Sequence, residues 1–182
     1  MKRCTLLVGL MVFVGLPAHA QGNYPKTEIF LGYSYSPHGS GAIAREVAHG
    51  WSVSLSRNFI RYFGITTDIG SEYGDVDALG VSFRNYHFLT GPRVTVRTNR
   101  VTVFVHALYG VALTKRPSYI VGFITVPSSL ETDPAMSYGA GLDVNLIPFL
   151  ALRLAQFDHV LVRLDGGWQD NNRLRAGIVF KF

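Results

Sequence analysis

The chain has 182 residues, a formal net charge of +5, 48% apolar and 13% aromatic residues, and one cysteine. That length suits a single domain, and a lone cysteine excludes an internal disulfide. The positive charge is modest and forms no basic cluster, which argues against a nucleic-acid surface.

The N-terminus reads as a secretory leader. Lys2 and Arg3 form a basic n-region, residues 6–16 an apolar h-region, and Ala18-His19-Ala20 a small-x-small site. Cleavage is expected between Ala20 and Gln21. A retained anchor is the alternative, but the apolar stretch is short for a span and no basic stop-transfer run follows. Cys4 lies in the leader, so the processed chain of 162 residues, 182 less 20, has no cysteine. Its charge falls to +3, because Lys2 and Arg3 leave with the leader. Mean hydropathy is +0.20, high for a secreted domain. Yet after the leader no uninterrupted apolar run reaches the ~18 residues of a helical span.

The apolar residues recur instead at period two, which has no helical interpretation. The first predicted strand, 27–35, sets Ile29, Leu31, Tyr33 and Tyr35 against Glu28, Gly32 and Ser34. The second, 47–57, sets Trp51, Val53 and Leu55 against three serines. In the third, 62–71, Phe63, Ile65 and Ile69 oppose Gly64, Thr66 and Asp68. The fourth, 84–97, opposes Tyr86, Phe88, Val94 and Val96 to Asn85, His87, Arg93, Thr95 and Arg97. Pro92 lacks a ladder donor there, so a local bulge or irregular pair is expected.

The fifth strand, 101–114, has one apolar face running from Val101 to Leu113. The sixth, 135–144, opposes Met136, Tyr138, Ala140, Leu142 and Val144 to Ser137, Gly139, Gly141 and Asp143. The seventh, 149–163, loses its alternation where Gln156 and Asp158 fall on the apolar side. A bulge between Leu154 and Asp158 would switch the parity. The eighth, 172–182, opposes Leu174, Ala176, Ile178, Phe180 and Phe182 to Arg173, Arg175, Gly177 and Lys181.

Short connections at 58–61, 98–100 and 145–148 alternate with long ones at 36–46, 72–83, 115–134 and 164–171. Membrane barrels sort their loops this way, with short periplasmic turns and longer outer loops. The even strand number puts both termini at the short-turn end. Phe59, Tyr62, Phe63, Phe149 and Phe182 fall near one rim; Tyr33, Tyr35, Trp51 and Tyr73 fall towards the other. Interfacial preference and ordinary strand enrichment explain these aromatics equally well.

The expected fold is all-β: a closed antiparallel eight-stranded transmembrane β-barrel over 21–182, after a signal peptide at 1–20. Eight strands leave an interior that side chains fill. The inward positions are Glu28, Thr66, Asp68, Asn85, His87, Arg93, Arg97, His106, Asp143, Arg153, Arg173, Arg175 and Lys181. Charges of both signs in so narrow a space should pair, which predicts a polar plug rather than a pore. Glu28 and Lys181 should be neighbours where the first and last strands meet, and are predicted to pair.

Signals for catalysis are thin. His38-Gly39-Ser40 and Asp158-His159 hold the residue types of a hydrolase, but His38 and Ser40 lack an evident group to orient the base. His49, His87 and His106 show no metal-ligand spacing. Gly139-x-Gly141 lacks the strand-to-helix setting of a nucleotide loop. No cofactor is expected. Residues 115–134 hold Lys115, Arg116, Tyr119 and Phe123, and either extend their strands as a hairpin or bind a partner.

The leader, Phe88-Leu89-Thr90-Gly91-Pro92-Arg93, Gly139-Ala140-Gly141-Leu142-Asp143-Val144 and the alternating ending 171–182 carry a resemblance. The processed chain resembles the eight-stranded outer-membrane β-barrel proteins, typified by the transmembrane domain of outer membrane protein A and its small relatives. The resemblance implies the bacterial outer membrane as location, and outer-membrane lipid and lipopolysaccharide as surroundings. It also implies that Ile178, Phe180 and Phe182 form the C-terminal signal read by the assembly machinery. No periplasmic domain is expected after the barrel, which argues against a peptidoglycan tether. The expected function is non-enzymatic: stabilising the membrane, or presenting long outer loops to an unknown ligand. A lipid-modifying enzyme, a narrow pore and a soluble lipocalin-like barrel are the alternatives. The soluble barrel would need apolar inward faces, which Ser52, Ser54, Asp68, Asp143 and Arg175 contradict.

Overall fold

The computed structural model describes residues 24–38, 46–76, 81–116, 119–121, 124–126, 129–164 and 167–182. The leader and its Ala20/Gln21 junction, Ser40 and Phe123 lie outside the described residues.

Eight long strands close into one antiparallel barrel in the order β1-β10-β9-β8-β5-β4-β3-β2. They are β1 (Thr27–His38), β2 (Glu46–Asn58), β3 (Phe63–Val76), β4 (Val81–Arg97), β5 (Val101–Arg116), β8 (Ser129–Ile147), β9 (Leu150–Leu164) and β10 (Gly167–Lys181). Between β5 and β8 the chain forms a small hairpin, β6 (Tyr119–Val121) with β7 (Ile124–Val126). Every long strand pairs with its sequence neighbour, and β1 meets β10 to close the ring. Closure satisfies each strand's backbone on both sides, as a bilayer requires. Near the closing seam Phe182 N donates to Thr27 O at 2.8 Å, and Lys26 N and Thr27 N donate to Phe182 O.

The period-two pattern sets the two faces. Along β2, Ser52, Ser54, Ser56 and Asn58 are buried in the lumen, while Trp51, Val53 and Leu55 point outward. Val94, Val103, Val105, Phe157 and Ile178 stand on the outer wall, each about half exposed. Such a wall is stable against lipid and costly against water. No helix of the described residues is long and apolar enough to cross a membrane; this barrel presents strands instead.

The aromatic residues gather at two levels. Tyr33 faces Trp51, and a row one step further along runs Tyr35–His49–Tyr73–Arg84 across four strands. Phe59, Tyr62, Phe63, Phe149 and Phe182 are exposed at the other end. Two such girdles bracket a transmembrane band.

One detail differs from the sequence expectation, and two make it more specific. The strands run further at the outer end: β3 pairs with β4 out to Val76↔Val81, β5 with β8 to Arg116↔Ser129, and β9 with β10 to Leu164↔Gly167. Much of 72–83, 115–134 and 164–171 is therefore strand. Glu72, Asp75, Lys115, Arg116, Glu131, Asp133 and Asp170 bring charge into these segments, so the alternation that marks a wall against lipid fades there. Of the two outcomes expected at Pro92 the structure has the irregular pair rather than the bulge: pairing of β4 to β5 skips Gly91 and Pro92 but resumes unshifted from Thr90↔Tyr109 to Arg93↔His106. The missing N–H interrupts the ladder without inserting a residue. The bulge in β9 is real and sits at Leu154–Ala155. Both of its ladders slip by one residue there, so Arg153, Gln156 and Asp158 all face inward.

Candidate functional site

The lumen is the most chemically loaded part of the molecule. Glu28, Asp68, Arg93, Asp143, Arg175 and Lys181, all expected inside, are buried there. So are His87, His106, Arg153 and Arg173. Asn85 and Arg97 are only partly buried.

In the outer half, Arg175 bridges two carboxylates. Its Nη1 lies 2.6 Å from Asp68 Oδ2 and its Nη2 lies 2.6 Å from Asp158 Oδ2. Arg173 reaches Asp68 Oδ2 at 3.3 Å, Asp158 Oδ2 at 3.5 Å and Glu72 Oε1 at 3.7 Å. His106 Nε2 stands 2.9 Å from Asp158 Oδ1, and His87 Nε2 is 2.8 Å from Arg173. Ser54 donates to Asp68 Oδ1 at 2.9 Å, and Ser36 to Glu72 Oε1 at 3.2 Å.

In the half nearer the short turns, Arg153 grips Asp143 with Nε at 2.7 Å and Nη2 at 3.1 Å. Arg93 lies 2.9 Å from Glu28 Oε2, and Arg97 lies 2.8 Å from Glu28 Oε1. Two rings hold these cations from the side. The Arg153 guanidinium sits 4.3 Å from the centroids of both Phe30 and Phe104, and Arg93 sits 4.0 Å from Phe104. The faces of the rings attract the cations where water is excluded. Gln156 joins the two halves, accepting from Arg153 at 2.7 Å and donating to Asp158 at 3.0 Å. The polar chain thus runs along the lumen from Glu28 to Glu72.

The cavity at the middle of the lumen is small. Ser54, Asp68, Arg93, His106 and Arg175 surround a cavity of about 10 Å³, room for roughly one water. The interior is not wholly polar. Leu89, Leu108, Ala112, Ala135 and Val162 form one apolar cluster, and Phe30, Ala151 and Val179 another.

Sequence reasoning missed three members of this network. The sequence reading puts Glu72 in a connection rather than a strand. The notch in β9 is what brings Gln156 and Asp158 in, and the broken alternation was its only signal. The expected neighbours Glu28 and Lys181 do face each other across the seam. Their predicted pairing is corrected: Glu28 goes to the two arginines, and Lys181 donates to Asn145 Oδ1. Arginine's fork matches a carboxylate better than an ammonium does.

Of the residues raised for catalysis, Ser40 lies outside the described residues, and Asp158 and His159 are held apart. Asp158 is buried while its neighbour His159 lies on the other face of the strand, where its Nδ1 is 2.9 Å from Asn172 Oδ1 and its ring packs against Tyr138. Among the described residues no group of three or more His, Cys, Asp or Glu is placed to hold a metal. At the other end of the chain's last strand, Ile178 and Phe182 face outward and Phe180 is half-buried.

No protein-family model and no curated protein matches the sequence. Solved structures do. Neisserial surface protein A superposes with a TM-score of 0.69 at 13% identity, covering 88% of this chain and 100% of the other. Ail, the attachment invasion locus protein of Yersinia pestis, solved with the heparin analogue sucrose octasulfate, gives 0.58 at 20% identity, with 86% and 99% covered. The N-terminal β-barrel domain of Pseudomonas aeruginosa OprF gives 0.51 at 12% identity, with 87% and 99% covered. The chain has the fold of the eight-stranded outer-membrane β-barrels.

Proposed function

We propose that this protein is a non-enzymatic integral barrel of the bacterial outer membrane, with a plugged lumen, acting through the outer ends of its strands. The observation that carries this reading is the ladder between β5 and β8. It runs through sixteen successive pairs, from Val101↔Val144 to Arg116↔Ser129. A transmembrane strand needs about 9–11 residues. The surplus projects at the end opposite the termini, where β6 and β7 follow it. Surface display of this hairpin is the role it supports, and the ion pairs filling the lumen support a plug over a pore. Outer-membrane lipid and lipopolysaccharide would cover the apolar wall, and Ile178, Phe180 and Phe182 would serve assembly.

The test is trypsin treatment of intact cells. Cleavage after Lys115, with the rest of the barrel protected, is the expected result; the Arg116–Pro117 bond resists trypsin. Resistance in intact cells together with cleavage after outer-membrane permeabilisation would sink surface display.

A further inference from the structure

The end of the barrel that carries the termini and the short turns is lopsided in charge. Residues 24–28, 57–63, 96–101, 144–150 and 180–182 hold six cations: Lys26, Arg57, Arg61, Arg97, Arg100 and Lys181. They hold one side-chain carboxylate, Glu28, which is buried and already engaged by Arg93 and Arg97. The adjoining half of the lumen adds one more positive charge, because beyond the residues already counted it holds Arg93 and Arg153 against Asp143 among the described residues. Buried charge without a counter-charge is costly, so this end favours an anion from outside the chain.

The structure supplies a place for one. A recess of about 490 Å³ opens at this mouth, within the size range of small-ligand sites. Arg97, Thr102, Asn145 and Lys181 form part of its polar lining, and Leu146 and Ile147 part of its apolar lining. The Arg97 side chain is only 8% exposed; its Nη1 donates to Arg61 O and its Nη2 to Glu28 Oε1, while its Nε is buried without a hydrogen-bond partner. The Lys181 ammonium, with three protons to donate, gives one to Asn145 Oδ1.

We propose that this mouth is a binding site for short anionic peptides, whose carboxylates meet Arg97 and Lys181 while their aliphatic parts rest on Leu146 and Ile147. The planar guanidinium suits a carboxylate, and the mixed lining suits a peptide rather than an inorganic ion. Arg97, Thr102 and Lys181 belong to the inward faces of their strands, so the headgroups of lipids against the outer wall are poorly placed to reach them. The carboxylates have two natural periplasmic sources, the stem peptides of the cell wall and the acidic tails of proteins.

The experiment uses the full-length processed barrel in nanodiscs of zwitterionic lipid and a dye-labelled Ala-Glu-Ala-Glu peptide, read by fluorescence anisotropy. Saturable binding is expected, weakened at least tenfold by amidating every carboxylate of the peptide. R97Q and K181Q should each weaken it at least tenfold, and R84Q, at the opposite end, should leave it unchanged. The heat-dependent gel shift of each variant reports folding. Should R97Q fail to fold, N99D, which adds a negative charge to the exposed lining, is expected to give the same loss. Absence of saturable binding, equal binding of the amidated peptide, or equal loss in R84Q would overturn the proposal. Given peptide binding, co-sedimentation with purified cell-wall sacculi assigns the carboxylate to stem peptides, and its absence to protein tails.

Discussion

Glu28 and Lys181 stand opposite each other across the seam that closes the barrel, yet the Glu28 carboxylate is held by Arg93 and Arg97 while Lys181 turns to Asn145. Adjacency in register does not decide pairing when better-shaped donors reach the same carboxylate from across the lumen.

This has an energetic consequence. Glu28→Gln should cost about 3–5 kcal/mol, because it leaves buried guanidinium charge uncompensated. In double-mutant cycles by urea titration in lipid vesicles, Glu28 should couple to Arg93 by about 0.5–3 kcal/mol and more weakly to Lys181. A stronger coupling to Lys181 would reverse the assignment.

Arg175 and Arg173 together occupy the space between Asp68 and Asp158. Replacing both with Ala removes the widest side chains of the plug and leaves three acids facing one another. Single-channel conductance in planar bilayers should rise several-fold and favour cations. Unchanged conductance would place the narrowest point elsewhere.

Val105 stands at mid-strand on the outer wall, 51% exposed. Val105→Arg should cost about 2–4 kcal/mol in membrane-folding equilibria. Ser54→Ala, inside, loses a hydrogen bond to the charged Asp68 and should cost about 1.5–3 kcal/mol. A tolerated arginine at position 105 would mean that this wall does not face lipid.

Gly141 lies beneath the Phe104 ring, where a Cβ would come within 2.3 Å of Cζ. The ring is pinned by Arg93 and Arg153 on its faces. Gly141→Ala should therefore destabilise the barrel by about 1–3 kcal/mol, as overpacking does. The thermal midpoint in detergent measures it, and Phe104→Leu in the same background should recover part of the loss.

Deleting Leu154 removes the extra residue of the β9 bulge. The remaining residues then alternate without a break, with Arg153 inward, Ala155 outward, and Gln156 and Asp158 still inward, so no face inverts. Retention of the heat-modifiable band on gels is the expected outcome. Its loss would mean that the bulge itself is needed to close the barrel.

The sequence by itself determined the strands across the membrane, their inward and outward faces, the seam register of Glu28 and Lys181, and the notch near Leu154. Each is a local consequence of period-two alternation between two environments, lipid and lumen. The extent of the strands beyond the bilayer was not legible, because Glu72 and its neighbours meet polar surroundings on both faces and no alternation is imposed. The ion-pair partners were not legible either. Arg175 with Asp68, and Arg93 with Glu28, are brought together only by curvature and closure, from residues 107 and 65 positions apart in the chain. Which acid meets which base depends on the angular position of each strand around a narrow lumen, and on the reach of arginine across it. That geometry belongs to the closed barrel and to no single strand.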